Sequence, residues 1–114
     1  MITLYGIRSC DNCRKARRWL QDRDIEFRFT DIRDEVLEEP LLEKWQKQLD
    51  WEPLLNKQSV TWRKIPPFDR ADLNAQNAQA LILNYPTVMK RPILDNGTQI
   101  LLGFDDKEYE ALDP

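Results

Sequence analysis

The sequence predicts an α/β domain built on a mixed four-stranded sheet, and three observations carry that expectation. A short apolar run at residues 2–5 is followed by a helix-patterned segment and then by an alternating run at 25–30. That is the strand–helix–strand order of a βαβ unit, whose crossover is right-handed as a rule. Later, two apolar runs flank Asn96-Gly97, the strongest short hairpin signal. Between these parts lies a mostly helical stretch, about residues 34–88, which reads as an insertion to one side of the sheet.

Taken in order, Ile2, Thr3, Leu4 and Tyr5 form a buried strand, and Gly6 marks a turn. From 12 to 22 the apolar Cys13, Ala16, Trp19 and Leu20 fall on one helical face. Arg14, Lys15, Arg17 and Arg18 take the other positions and read as solvated surface, except nearest Cys10, where cations would attract an anionic substrate. In the run 25–30, Ile25, Phe27 and Phe29 alternate with polar residues and are expected to point inward. Pro40 suits a first helical position, and Leu42, Trp45 and Leu49 continue at helical spacing. Residues 51–56 read as one further short helix stopped by Asn56. Residues 57–72 have no clear period and contain Pro66-Pro67, so they are expected to be mostly loop. Asp72 is expected to cap a helix at about 73–84, with Ala78, Leu81 and Ile82 on its inner side and Tyr85-Pro86 ending it. Asn96-Gly97 predicts a type I′ turn. Asp105 and Glu108 are spaced like a capping box for a last helix holding Tyr109 and Leu112.

At 114 residues the chain is long enough for one hydrophobic core, so residues 1–114 are read as a single domain. A net charge of −3 with 32% charged residues gives no bulk electrostatic reason to bind nucleic acid or membranes. No apolar run approaches a membrane span. The first residues enter a strand without the charged-then-apolar layout of a signal peptide. Two cysteines in such a chain point to a reducing, cytoplasmic setting, where a Cys-x-x-Cys pair is more often catalytic than structural. A monomer without a bound cofactor is expected.

The chemistry centres on Ser9-Cys10-Asp11-Asn12-Cys13. A Cys-x-x-Cys pair between a strand and a helix has the layout of a thioredoxin-like redox motif. The start of a helix offers unpaired N–H groups and the positive end of the dipole, and both favour a thiolate. Residues three apart lie one above the other on a helix, so Cys13 can reach Cys10. Cys10, at the mouth of the turn, is the candidate nucleophile, and Cys13 is the candidate resolving thiol. With no histidine, activation must come from the dipole, from cations and from hydrogen bonds. Half a zinc site is the competing reading, but zinc wants four ligands, so no metal is assigned. Inert packing is another, though Cys10 stands among polar residues rather than core ones.

These residues give a resemblance. Leu4-Tyr5-Gly6-Ile7-x-x-Cys10-Asp11-x-x-x-Lys15-Ala16-Arg17-x-Trp19-Leu20, with Leu54-Leu55-Asn56, Thr61-Trp62-Arg63-Lys64, Arg91-Pro92 and Gly103-Phe104, resembles the arsenate reductase-like family. That family includes the ArsC reductases, the Spx regulators and the small YffB-type proteins, and the chain looks most like the last. The resemblance implies a thioredoxin-like fold in which Cys10 is the reactive thiol and Pro92 is cis, opposite it. It implies that Arg91 binds an oxyanion or stabilises the thiolate, and that Arg63 is a second such arginine. Arg8, beside the cysteine loop, could add a cation if its side chain folded inward. An arginine fork suits oxyanions and carboxylates such as those of glutathione.

The chain departs from the arsenate reductases at two places. Gly6-Ile7-Arg8 replaces a His-Asn-Pro run, and Leu102-Gly103-Phe104 stands where a third arginine would be. Cys13 is shared with Spx, which carries a longer basic carboxy-terminal tail. The leading expectation is a glutathione-dependent thiol–disulfide oxidoreductase, with glutathione as co-substrate and glutathione or glutaredoxin as partner. Arsenate reduction with glutathione and glutaredoxin is the second enzyme reading. A redox-sensing regulator of Spx type, binding the RNA polymerase alpha subunit, is the reading from another class.

Overall fold

A computed structural model describes residues 1–112. In chain order the elements are β1 (Ile2–Gly6), α1 (Asp11–Asp22), β2 (Phe27–Asp31), α2 (Glu39–Leu49), α3 (Val60–Lys64), α4 (Ala75–Asn84), β3 (Ile93–Asp95), β4 (Ile100–Leu102) and α5 (Asp106–Glu110). Short 3-10 turns stand at Glu52–Leu54, Pro67–Arg70 and Pro86–Val88. The chain divides into two units, one formed by Met1–Glu35 with the segment beginning at Arg91, the other by Val36–Lys90.

In the first unit the strands run in the order β2-β1-β3-β4. β1 is parallel to β2, with Ile2 opposite Phe27 and Gly6 opposite Asp31. β3 is antiparallel to β1, with Thr3 opposite Asp95, and β4 closes the hairpin with Ile100 opposite Asp95. This is the expected mixed four-stranded sheet, a βαβ unit extended by a hairpin. Its core joins Leu4 and Leu94 of the sheet to Ala16 and Leu20 of α1 and Tyr109 of α5. The apolar spacing along α1 explains this, since Cys13, Ala16, Trp19 and Leu20 are its buried residues.

Three expectations for this unit change in detail. Gly6 does not turn the chain but ends β1, paired to Asp31. Ile25, Phe27 and Phe29 are only half-buried, because β2 lies at the sheet edge, and the buried residues of β2 are Thr30 and Asp31. The hairpin connection is not type I′. Asn96 does not have positive φ, whereas Gly97 stands at φ 100°. Asn96 Oδ1 accepts the N–H groups of Thr98 and Gln99, at 3.0 and 2.6 Å, and so holds a wider loop over residues 96–99.

In the second unit α2 buries Leu42 and Trp45, and α4 buries Ala78, Leu81 and Ile82. The stretch 57–72 is not mostly loop. Ser59 Oγ accepts the Trp62 N–H at 3.0 Å and starts α3, a helix of five residues that is too short to show a period. The cap of α4 is Asn74 rather than Asp72, and Asn77 returns the bond to complete a capping box. The helix expected at 51–56 is the single 3-10 turn Glu52–Leu54. Among the described residues no helix is long and apolar enough to cross a membrane.

Candidate functional site

Cys10 is the N-cap of α1, with extended backbone (φ −77°, ψ 130°), and its C=O accepts the Arg14 N–H at 3.0 Å. It is a half-buried free cysteine at the mouth of the helix. Burial pushes the Cys10 thiol up. The backbone N–H of Cys13, the Cys13 thiol, the backbone N–H of Asn12 and the Arg91 guanidinium together outweigh that, and the net shift is downward from 9.0. This is the helix-start effect with one added cation.

Cys13 is fully buried one turn further on. Burial, joined by the neighbouring Cys10 sulfur, raises its thiol to about 12, against the Ile7 N–H that points at Sγ from 3.5 Å. Both cysteines are free thiols. Gly6 explains how Cys13 fits, because a Cβ at Gly6 would overlap the Cys13 sulfur. Tyr109 interacts electrostatically with Cys13, and its ring stands edge-on to Trp19 and Phe104 at 5.4 and 4.9 Å between centroids.

Arg91 and Pro92 reach this place just before β3, the neighbour of β1. β3 runs antiparallel to β1, so the segment that enters β3 arrives at the end where β1 delivers the cysteine loop. The Arg91–Pro92 bond is cis, and Pro92 C=O accepts the Gly103 N–H at 2.8 Å. A shallow groove of about 570 Å³ lies beside the cysteine turn, lined by Asn12, Lys15, Phe104, Asp105, Asp106 and Lys107.

The structure thus gathers Cys10, Cys13, Arg91 and Pro92. Arg8 is near in the chain but turns its guanidinium to Asp34, with Nε 3.7 Å from Asp31 Oδ2. Arg63 sits on α3 in the second unit, with its side chain exposed. Two residues escaped the reading of the sequence. Asp31, at the end of β2, is buried and accepts the Arg8 N–H at 3.0 Å. Arg17 is not simply solvated, for its guanidinium stands over Phe29 at 4.8 Å and donates to Arg8 C=O at 3.2 Å. Neither partner is near in sequence, so no local pattern announces them.

Sheet order and connections make this a thioredoxin-like domain with a cysteine pair opening its first helix. The chain belongs to the ArsC family, whose model matches residues 5–112. A solved YffB protein is similar over 97% of both chains, with 34% identity and a TM-score of 0.93. An arsenate reductase (ArsC) related protein from Brucella melitensis is 39% identical over 96% of this chain and 92% of its own, with a TM-score of 0.74. The global transcriptional regulator Spx of Enterococcus faecalis is 31% identical over all of this chain and 87% of its own.

Proposed function

We propose that this protein is a cytoplasmic, glutathione-dependent thiol–disulfide oxidoreductase with Cys10 as its nucleophile. The observation that carries the reading is the asymmetry of the two thiols, one accessible and lowered, the other buried and raised to about 12. An attacking thiol benefits from being ionised and reachable, while a resolving thiol needs only to be adjacent. Cys10 thiolate attacks one sulfur of a substrate disulfide, the S–S bond breaks, and the released thiolate takes a proton. Cys13 then gives up its proton and attacks Cys10 Sγ of the mixed disulfide. The second substrate thiol leaves, and Cys10 and Cys13 remain joined. Two glutathione thiols reduce that bond and depart as glutathione disulfide, which balances the two electrons. Glutathione alone can also resolve the mixed disulfide on Cys10.

Arg91 supports the thiolate by a charged hydrogen bond. Losing it costs about 1.5–3 kcal/mol, roughly tenfold or more in rate. The groove beside Asn12 has both charge signs, Lys15 and Lys107 against Asp105 and Asp106, as a zwitterionic tripeptide requires. Arsenate makes a different demand, for several cations converging on one small anion, and Leu102-Gly103-Phe104 offers none where a third arginine is expected. The test is disulfide and arsenate reduction on one preparation, supplied with glutathione and glutaredoxin. Disulfide reduction that is lost in Cys10→Ser, slowed in Arg91→Ala and unchanged in Arg18→Ala supports the reading. Robust arsenate turnover lost in Cys10→Ser would overturn it.

A second reading rests on the likeness to Spx across the whole chain. In it the Cys10–Cys13 disulfide switches a binding surface for the RNA polymerase alpha subunit. Inactivity in both assays, with redox-dependent binding to that subunit, would favour it.

A further inference from the structure

Asp31 takes no part in the steps above, yet it is the most buried charged residue of the described chain, at 3% exposure. A buried carboxylate is tolerated only when its oxygens are well supplied with donors. Here Arg33 supplies three: its N–H and Nε to Oδ1 at 2.9 and 3.3 Å, and Nη2 to Oδ2 at 3.3 Å. The fourth comes from Arg8, 23 residues earlier, whose N–H meets Oδ2 at 3.0 Å.

That fourth bond falls on a particular peptide. The Arg8 N–H and the Ile7 C=O are the two poles of one rigid plane. The Ile7 C=O accepts the Cys10 N–H at 3.0 Å, and Ile7's own N–H points at Cys13 Sγ from 3.5 Å. An anion on one pole of a peptide also strengthens the acceptor at the other. The Cys10 backbone is therefore tied to the very peptide that Asp31 holds, while Cys13 Sγ meets the N–H of the preceding peptide, Gly6–Ile7. On the next carbonyl, Arg8 C=O accepts Arg17 Nη2 at 3.2 Å.

We propose that Asp31 is a positioning residue for Cys10, acting through the peptide that joins Ile7 to Arg8. By fixing that peptide it sets Cys10 Sγ against the first-turn N–H groups and Arg91. This rests on the reading that Cys10 is the reactive thiol but requires neither glutathione nor any substrate.

Charge and position predict opposite signs, which makes the role testable. The groups that bear on Cys10 are Cys13 and Arg91, and those around Asp31 are Arg8 and Arg33, with Asp34 on the far side of Arg8. If Asp31 acted by its field, removing the anion would make Cys10 more acidic. If it positions, the loop slips from the N–H groups and Cys10 becomes less acidic. The Asp31 carboxyl, held at about 2 by Arg33 and the Arg8 N–H against its burial, stays ionised wherever a thiol titrates.

The experiment is the pH dependence of Cys10 alkylation by iodoacetamide, followed by mass, in the folded full chain. Asp31→Asn should raise the Cys10 midpoint and slow labelling at neutral pH by about threefold to tenfold, since each pH unit of midpoint is a tenfold change in thiolate. Arg33→Ala, which leaves the bond to Arg8, should not move the midpoint. Leu101→Ala controls for lost stability and should also leave it in place. Asp31→Glu keeps the charge and lengthens the arm, so it should raise the midpoint as well, and it serves if Asp31→Asn does not fold. A midpoint that falls or stays fixed in the folded Asp31 variant would overturn the proposal. Because glutathione is absent from the assay, it can succeed even if the proposed oxidoreductase activity is not found.

Discussion

The sheet buries an aspartate at each end. Asp31 stands opposite Gly6 where β1 delivers the cysteine loop, and Asp95 stands opposite Thr3 where the hairpin turns. Each accepts the N–H two residues on, Asp31 from Arg33 at 2.9 Å and Asp95 from Gly97 at 2.8 Å. Such bonds shape a turn locally. Asp31 adds the bond to Arg8, which joins two stretches of chain far apart in sequence. The same kind of turn bond is there joined to a bond that reaches the loop carrying Cys10. The glycines repeat the contrast. Gly6 is required because the Cys13 sulfur occupies the place of its Cβ, while Gly97 has open space around it and is required only for its φ of 100°.

The largest expected effect falls on Asp31. A hydrogen bond to a charged group contributes about 1.5–3 kcal/mol, so Asp31→Asn should lose about that much stability at neutral pH in urea denaturation. The pH dependence has a definite sign. The folded carboxyl is depressed to about 2, so its contribution is present above the unfolded value near 4 and is lost as pH falls towards about 2. The gap between the parent and Asp31→Asn should therefore narrow across that window. A gap that widened there would contradict the pairing described.

Gly6→Ala comes next, because the added methyl would overlap the sulfur of the fully buried Cys13. Overpacking of this kind costs about 1–3 kcal/mol. It should also disturb the cysteines, visible as an altered Cys10 alkylation profile. Gly97→Ala should be the mildest, about 1 kcal/mol for an L-residue in a left-handed conformation, with Cys10 alkylation unchanged. If Gly97→Ala changed thiol reactivity as much as Gly6→Ala, the separation of the two ends would fail.

The same contrast explains what the sequence disclosed. The strand, the amphipathic α1 and the Cys10-x-x-Cys13 pair were legible because each is a local pattern of period or spacing. The hairpin was legible too, but its turn type was not, since the Asn96 side chain chose its own backbone donors over left-handed φ. α3 was hidden by its five residues, and the cap of α4 by the competition between Asp72 and Asn74. The bond from Asp31 to Arg8 and the turn of Arg17 onto Phe29 and Arg8 C=O depend on the assembled sheet. No spacing rule reaches across 23 residues.

The cysteine end of the sheet holds one half-buried, lowered thiol and one buried, raised thiol. Alkylation of the native protein over a pH series, with Cys10 and Cys13 resolved by peptide mass, tests it most directly. The expected result is a Cys10 midpoint below 9.0, with Cys13 unlabelled while the protein stays folded. Labelling of Cys13 at neutral pH as fast as Cys10 would contradict the account.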